Sequence, residues 1–198
     1  GIFEKYGIDL QTTEFVAGIN TIDAVVNGTA DIGMMADYAA VNRLGNTLDA
    51  TNLQIFSQIS GGQSALSGGL YVDPKYADDP KSLDGSAGFM YQEGTVTYYY
   101  ASKCIEYLGL DESKQNLINT DSSQTRLALI QKGGASAVYA NGSEAKYLEE
   151  AGWVQVATSQ EIGIQTGSYF LSTDKYISEN TDTLAKFLQA VDESTQYI

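Results

Sequence analysis

A helix-patterned stretch, a glycine turn and a short apolar run occur in that order twice in this chain, as "VVNGTADIGMMA" at 25–36 and "IQKGGASAVYAN" at 130–141. Aligning Gly28 with Gly133 sets Val26 on Gln131, Ala30 on Ala135, Ile32 on Ala137 and Met34 on Tyr139. Glycine ends a helix by adopting left-handed backbone, and the apolar run that follows is short enough for a buried strand. Each strand ends in a polar residue where the next helix begins, Asp37 in the first copy and Asn141 in the second. The repeat points to an α/β chain and to equivalent pieces of two lobes. The same unit also recurs within single α/β domains, so the pattern alone leaves both arrangements open.

The rest of the chain keeps this rhythm. "IDLQTTEFV" alternates and reads as a strand, followed by the helix "GINTIDAVVNG" and the strand "ADIGMMA". "DYAAVNRLGN" is a helix with Asp37 as N-cap, and "LQIFSQIS" a strand. Both prolines fall in "PKYADDPKSLDGSAG", an exposed connection and the expected boundary. Strands then follow in "GFMYQ", "NLINT", "ASAVYA", "WVQVA" and "GSYFLST". Helices are expected in "TVTYYYASKCIEYLGL", "DSSQTRLALIQKGG", "SEAKYLEEAG" and "NTDTLAKFLQAV". Such spacing predicts βαβ units around mixed, mostly parallel sheets. The expected lobes are 1–75 with 164–198, and 76–163.

Composition narrows the chemistry. None of the 198 residues is a histidine, which removes the usual general base, the histidine-dependent nucleophiles and His-ligated zinc. A carboxylate-only metal site stays open, although no acidic loop has the spacing of a calcium hand; no metal ligand, cofactor or catalytic residue is expected. Cys104 lies on the helical stripe Val96, Tyr100, Cys104, Tyr107, Leu108 and reads as a small buried hydrophobe. A net charge of −14 without a basic stripe excludes nucleic acid as a partner. No apolar run reaches the length of a membrane-spanning helix.

In open α/β sheets, ligands bind beyond the carboxyl ends of the strands, where helix N-termini present unpaired N–H groups. Residues expected there are Asn20, Asp37, Tyr38, Glu93, Gly94, Thr95, Tyr98, Ser122, Tyr139 and Asn141. Gly94 is expected to let a ligand approach the backbone, and Thr95 to offer it both N–H and hydroxyl. Tyr98 is a candidate roof. Asp121 with Gln124 reads as a capping box. The only arginines, Arg43 and Arg126, sit at no expected strand exit, so an anion would rely on N–H groups and hydroxyls. Glu93 and Asp37 would oppose an anion or pair with an amine.

The opening "GIFEKYGIDLQTTEFVAGINTIDAVVNGTADIGMMADYAAV" resembles the start of the solute-binding proteins of the nitrate, sulfonate, taurine and thiamine-pyrimidine type. "KSLDGSAGFMYQEGT", "IQKGGASAVYAN" and "TGSYFLSTDKYISENTDTLAKFLQAV" follow in that family's order. The resemblance implies the type II periplasmic-binding-protein fold, closure of two lobes on a small molecule, and delivery to the permease of an ABC importer. It implies a monomer in the periplasm or outside the cell, with lipid anchoring through a segment outside this chain left open. The family's first strand and terminal helices are not matched, so a fragment lacking terminal elements is expected. The usual Lys-rich turn reads "DGSAG" here, and Ser136 replaces the usual Asp. A non-catalytic solute receptor is the expectation. Its alternatives are a sensing module of a larger receptor and a pyrimidine-forming enzyme, the latter opposed by the missing histidine.

Overall fold

The computed structural model describes residues 1–45, 52–61, 67–85 and 87–197. Two sheets organise them, the first antiparallel and the second mixed. The first has strand order β1-β8-β2, with β1 at Gly33–Ala36, β2 at Leu53–Gly61 and β8 at Gly167–Thr173. The second has order β5-β4-β6-β3-β7, with β3 at Gly69–Val72, β4 at Phe89–Tyr91, β5 at Leu117–Asn119, β6 at Ala137–Ala140 and β7 at Val154–Thr158.

Strand direction follows from how the chain passes between the sheets. In the first sheet β1 and β2 run the same way, and β8 is antiparallel to both. In the second, β4, β5 and β6 are parallel, and β3 is antiparallel to β6 and β7. The two reversed strands are the ones that arrive from the other sheet. β3 follows β2, and β8 follows β7 after one helical turn. A strand that arrives from a neighbouring sheet, and not through a βαβ crossover within its own sheet, is free to run antiparallel to its new neighbours.

Sheet membership departs from the expected boundary. β3 lies at 69–72, ahead of residue 76, yet pairs in the second sheet. Its Gly-rich approach masks it from periodicity, and all four residues are buried. Residues 8–16 form no strand: all but the half-buried Ile8 are exposed, and no strand pairs with them among the described residues. β-propensity needs a neighbouring strand or apolar surface to express itself, and here it has neither.

Helices α1 (Ile2–Lys5), α2 (Gly18–Val26) and α3 (Asp37–Gly45) precede β2. Helices α4 (Val96–Leu108), α5 (Ser123–Gln131), α6 (Gly142–Glu150) and α7 (Ser159–Ile162) belong with the second sheet. α8 (Asp174–Glu179) and α9 (Thr181–Thr195) follow β8. α4 buries Tyr100, Ala101, Cys104, Ile105 and Leu108 against Leu70, Phe89, Ala137 and Tyr139. On the opposite face Ile130 of α5 and Leu148 of α6 pack with Tyr71, Met90 and Val138. The alternation Leu70-Tyr71 and Val138-Tyr139 divides each strand between the two cores, as strand pleating requires. Cys104 is fully buried, and burial pushes its thiol pKa up, so it is a core residue as expected.

Both glycine turns have the same geometry. Gly28 has φ +69°, its N–H bonds the Val25 carbonyl, and the Thr29 N–H bonds that of Ala24. Gly133 has φ +66°, with the Gly133 and Gly134 N–H groups on the carbonyls of Ile130 and Leu129. The likeness of the two stretches is therefore a likeness of helix ends and of the strands they feed.

Candidate functional site

The carboxyl edges of the two sheets meet. At the first edge lie Ala36, opposite Ser168, and Gly61, opposite Gly167. At the second lie Tyr91, Asn119, Ala140 and Thr158, with Gly69 between the last two. Helices α3, α4, α5, α6 and α7 all start from these edges. The positions chosen from sequence at Asp37, Thr95, Ser122 and Asn141 are thus all at strand-to-helix transitions.

Their chemistry differs from position to position. Asp37 opens α3, and its carboxylate is turned to the segment that returns from the second sheet. Oδ1 accepts from the Tyr38 N–H and the Thr166 hydroxyl, both at 2.7 Å, and Oδ2 accepts from the Gly167 N–H at 2.9 Å. The carboxylate fastens the first edge to the crossing segment. Tyr38, one residue on, faces the second edge: its ring lies 6.2 Å from that of Tyr98, tilted by 35°.

Tyr98 forms a corner with Tyr91, the two rings 5.2 Å apart and inclined at 71°. Its hydroxyl donates to Glu112 Oε1 at 3.1 Å, which holds the ring and raises the phenol pKa. Glu93 is exposed, with its N–H bonded to Asn119 Oδ1 at 3.0 Å. Gly94 has φ +73°, and a Cβ there would meet Ile19 Cδ1 at 3.5 Å. Glycine is required for its left-handed backbone, at a place where the two edges come into contact.

Thr95 differs from expectation. Both its N–H and its hydroxyl donate to the Gln92 carbonyl, at 3.3 and 2.8 Å, while the hydroxyl accepts from the Thr97 N–H as the cap of α4. A strand-to-helix turn this tight brings its own carbonyl within reach of both donors. Thr95→Val is therefore expected to cost about 1 kcal/mol of stability, as loss of a cap does. Chemical denaturation measures it, and no change in midpoint would show the cap to be idle.

Ser122, not Asp121, caps α5: its hydroxyl accepts from the Thr125 N–H at 3.2 Å. Asp121 instead accepts from the Ser122 and Thr125 hydroxyls. Tyr139 is buried beneath the edge. Its hydroxyl pairs with Ser159 Oγ at 2.8 Å, and its ring lies 4.2 Å from Tyr100. Burial raises the pKa of both phenols, more strongly for Tyr100. Asn141 is exposed, and its side chain makes no hydrogen bond among the described residues. Asn20 is exposed on α2 and lines a shallow hollow with Glu14, Phe15 and Asp23, while its neighbour Ile19 is the residue that reaches Gly94.

Three contributors escaped sequence reasoning. Thr166 precedes β8 in a stretch without periodicity. Ser159 bonds the Gly68 carbonyl at 2.6 Å through its hydroxyl and at 2.9 Å through its N–H, drawing α7 onto the start of β3. Arg126 lies in the first turn of α5, near the second edge, yet is buried and bound to Glu144 at 2.8 and 3.1 Å. Among the described residues no group of His, Cys, Asp and Glu side chains is placed to hold a metal ion, and no helix is long and apolar enough to cross a membrane.

With this geometry in hand, comparison with known proteins gives one decisive match, to the family described as NMT1/THI5 like, over residues 1–198. The chain belongs to that family. No curated protein matches it in sequence. Among solved structures it is similar to the alkanesulfonate-binding protein SsuA from Xanthomonas axonopodis pv. citri, bound to MOPS, with TM-score 0.78 and 16% identity over 97% of this chain and 65% of that one. The periplasmic aliphatic sulphonate-binding protein SsuA from Escherichia coli gives TM-score 0.70 and 17% identity over 91% of this chain and 60% of that one. The periplasmic nitrate-binding protein NrtA from Synechocystis PCC 6803 gives 0.73 and 14%, over 98% and 55%. This family member has the fold of the periplasmic binding proteins and spans less than two thirds of the length of these relatives.

Proposed function

We propose that the protein is a non-catalytic solute receptor that captures a small molecule between two lobes and passes it to the permease of an ABC importer, in the periplasm or outside the cell. The lobes follow the two sheets, with β3 assigned to the second. The observation that carries this reading is the meeting of the two carboxyl edges across the Tyr38–Tyr98 contact, while among the described strands the chain changes sheet twice, from β2 to β3 and from β7 to β8. Such a joint allows the edges to part and close without disturbing either core. The family and its structural relatives, whose names describe sulfonate and nitrate binding, support the same role.

Within this reading Tyr38, Glu93, Tyr98 and Asn141 are the residues proposed to meet the solute. Asp37, Thr95, Ser122 and Tyr139 shape the edges that carry them, Gly94 supplies the turn, and Asn20 lies to one side. A solute drives closure only by binding the closed form better than the open one. A thermal-shift screen of sulfonates, nitrate, small amines and pyrimidines tests the proposal. A true solute at a hundred times its dissociation constant is expected to stabilise by about 2.7 kcal/mol and to reduce the radius of gyration in small-angle scattering. A screen in which no solute of any class stabilises the protein would sink the receptor reading.

A further inference from the structure

Resting on the receptor reading, we infer that the solute carries a cationic nitrogen, an amine or a quaternary ammonium, received between Tyr38 and Tyr98 with Glu93 as the nearby countercharge.

Three observations converge on it. The first is the geometry of the rings. Tyr91 and Tyr98 meet at 71° and make two walls of a corner, and Tyr38 faces that corner from the other sheet at 6.2 Å, tilted by 35°. Aromatic faces attract cations through the ring quadrupole, and rings set at an angle surround one better than a stack does. The Tyr98 ring is held in place by its hydrogen bond to Glu112. Tyr38 and Tyr98 face each other across the two edges, so a ligand enters when the edges part, and the rings close over it once it is bound.

The second is the distribution of charge. None of the 11 Lys and Arg residues lies in a strand-to-helix connection on either carboxyl edge. Arg126, in the first turn of α5, is buried and already bound to Glu144. The same connections carry Asp37, Glu93 and Asp121. Both oxygens of Asp37 are engaged, by Tyr38, Thr166 and Gly167, and Asp121 is turned to its own helix start, where Oδ1 accepts from the Ser122 and Thr125 hydroxyls. Glu93 remains exposed, its carboxylate only 3.4 Å from the Asn119 amide. A chain of net charge −14 adds a field that concentrates cations and repels anions at this mouth.

The third is the supply of donors that an anion would need. Thr95 spends its N–H and hydroxyl on Gln92, the Ser122 hydroxyl caps its own helix, and the Thr158 hydroxyl donates to Glu161. The start of α6 has no side-chain cap, and the charges beside it, Glu144 and Arg126, neutralise each other, which leaves that helix start without a net positive side chain for an anion. The chemistry therefore differs from what the names of the sulfonate- and nitrate-binding relatives describe.

The test uses this chain with four probes, choline, putrescine, methanesulfonate and nitrate, in calorimetric titration at low and moderate salt. Choline or putrescine is expected to bind, more weakly as salt rises. If choline binds, its affinity should exceed that of its uncharged dimethylbutanol isostere by about tenfold. Tyr98→Leu should weaken binding about fivefold or more, and Glu93→Gln by a similar factor, with both variants folded by circular dichroism. Binding of methanesulfonate or nitrate without either cation would overturn the inference and leave the receptor reading standing. Equal affinity for choline and its uncharged isostere would overturn it as well. Silence of all four probes overturns the cationic assignment, and the wider screen above then decides the receptor reading separately.

Discussion

Glu144→Ala is expected to destabilise the protein by about 3–5 kcal/mol, the cost of leaving a buried charge without its partner. Arg126 is almost fully buried, and two of its three nitrogens are bound to Glu144, one of them also to Ser123 at 3.0 Å. The third, Nη1, is buried with no partner among the described residues. Removal of Glu144 would therefore strand a guanidinium that has a single serine hydroxyl left to hold it. Arg126→Met together with Glu144→Leu should recover most of the loss, since apolar side chains of similar volume need no pairing. Urea denaturation of the two variants measures both effects. A cost for Glu144→Ala below about 1 kcal/mol would show the pair to be solvated, in the range of surface ion pairs. The pair joins the first turns of α5 and α6, so its loss should loosen the second edge of the cleft before it loosens the sheet beneath.

The buried pair shows where sequence reading reaches and where it stops. Periodicity located α4 from Tyr100, Cys104 and Leu108, because one helix face meets one continuous core. It located the two glycine turns, because left-handed backbone leaves glycine as the natural residue. It did not find β3, whose pairing with β6 and β7 is a fact about distant partners, nor the failure of residues 8–16 to pair. The same limit governs the site. A rule that ligands meet strand ends and helix starts placed Asp37, Thr95, Ser122 and Asn141 on the two edges. It could not say which donors were already engaged. Thr95 and Ser122 are occupied by their own turns, and Asp37 by Thr166, a residue far away in sequence. The Tyr38–Tyr98 contact has no local signature at all, since it exists only once the sheets are set edge to edge.

Gly88→Ala is expected to destabilise the protein by about 4 kcal/mol or more, an exceptional cost for one methyl group. Gly88 has φ +97°, a conformation that strains any residue with a Cβ. An added Cβ would lie closer than 3.0 Å to the Asn116 carbonyl oxygen, a backbone atom that cannot swing aside. That carbonyl is engaged, accepting the Phe89 N–H at 3.0 Å as β4 meets β5. On its other side the Gly88 carbonyl accepts from the N–H groups of Ser136 and Ala137 at 3.1 and 3.2 Å, where β6 begins. One glycine thus holds the lower ends of three parallel strands in register. The methyl group must push β4 away from β5 or twist it off β6, and either movement carries Tyr91 with it at the upper end. The variant should therefore lose solute affinity under conditions where it remains folded, because the Tyr91–Tyr98 corner is displaced. Gly85→Ala is the control: its φ is +72°, but nothing lies within 4 Å of the added Cβ, so only the backbone strain of about 1 kcal/mol remains. Similar unfolding midpoints for Gly85→Ala and Gly88→Ala would mean that the three strand ends are not locked through Gly88.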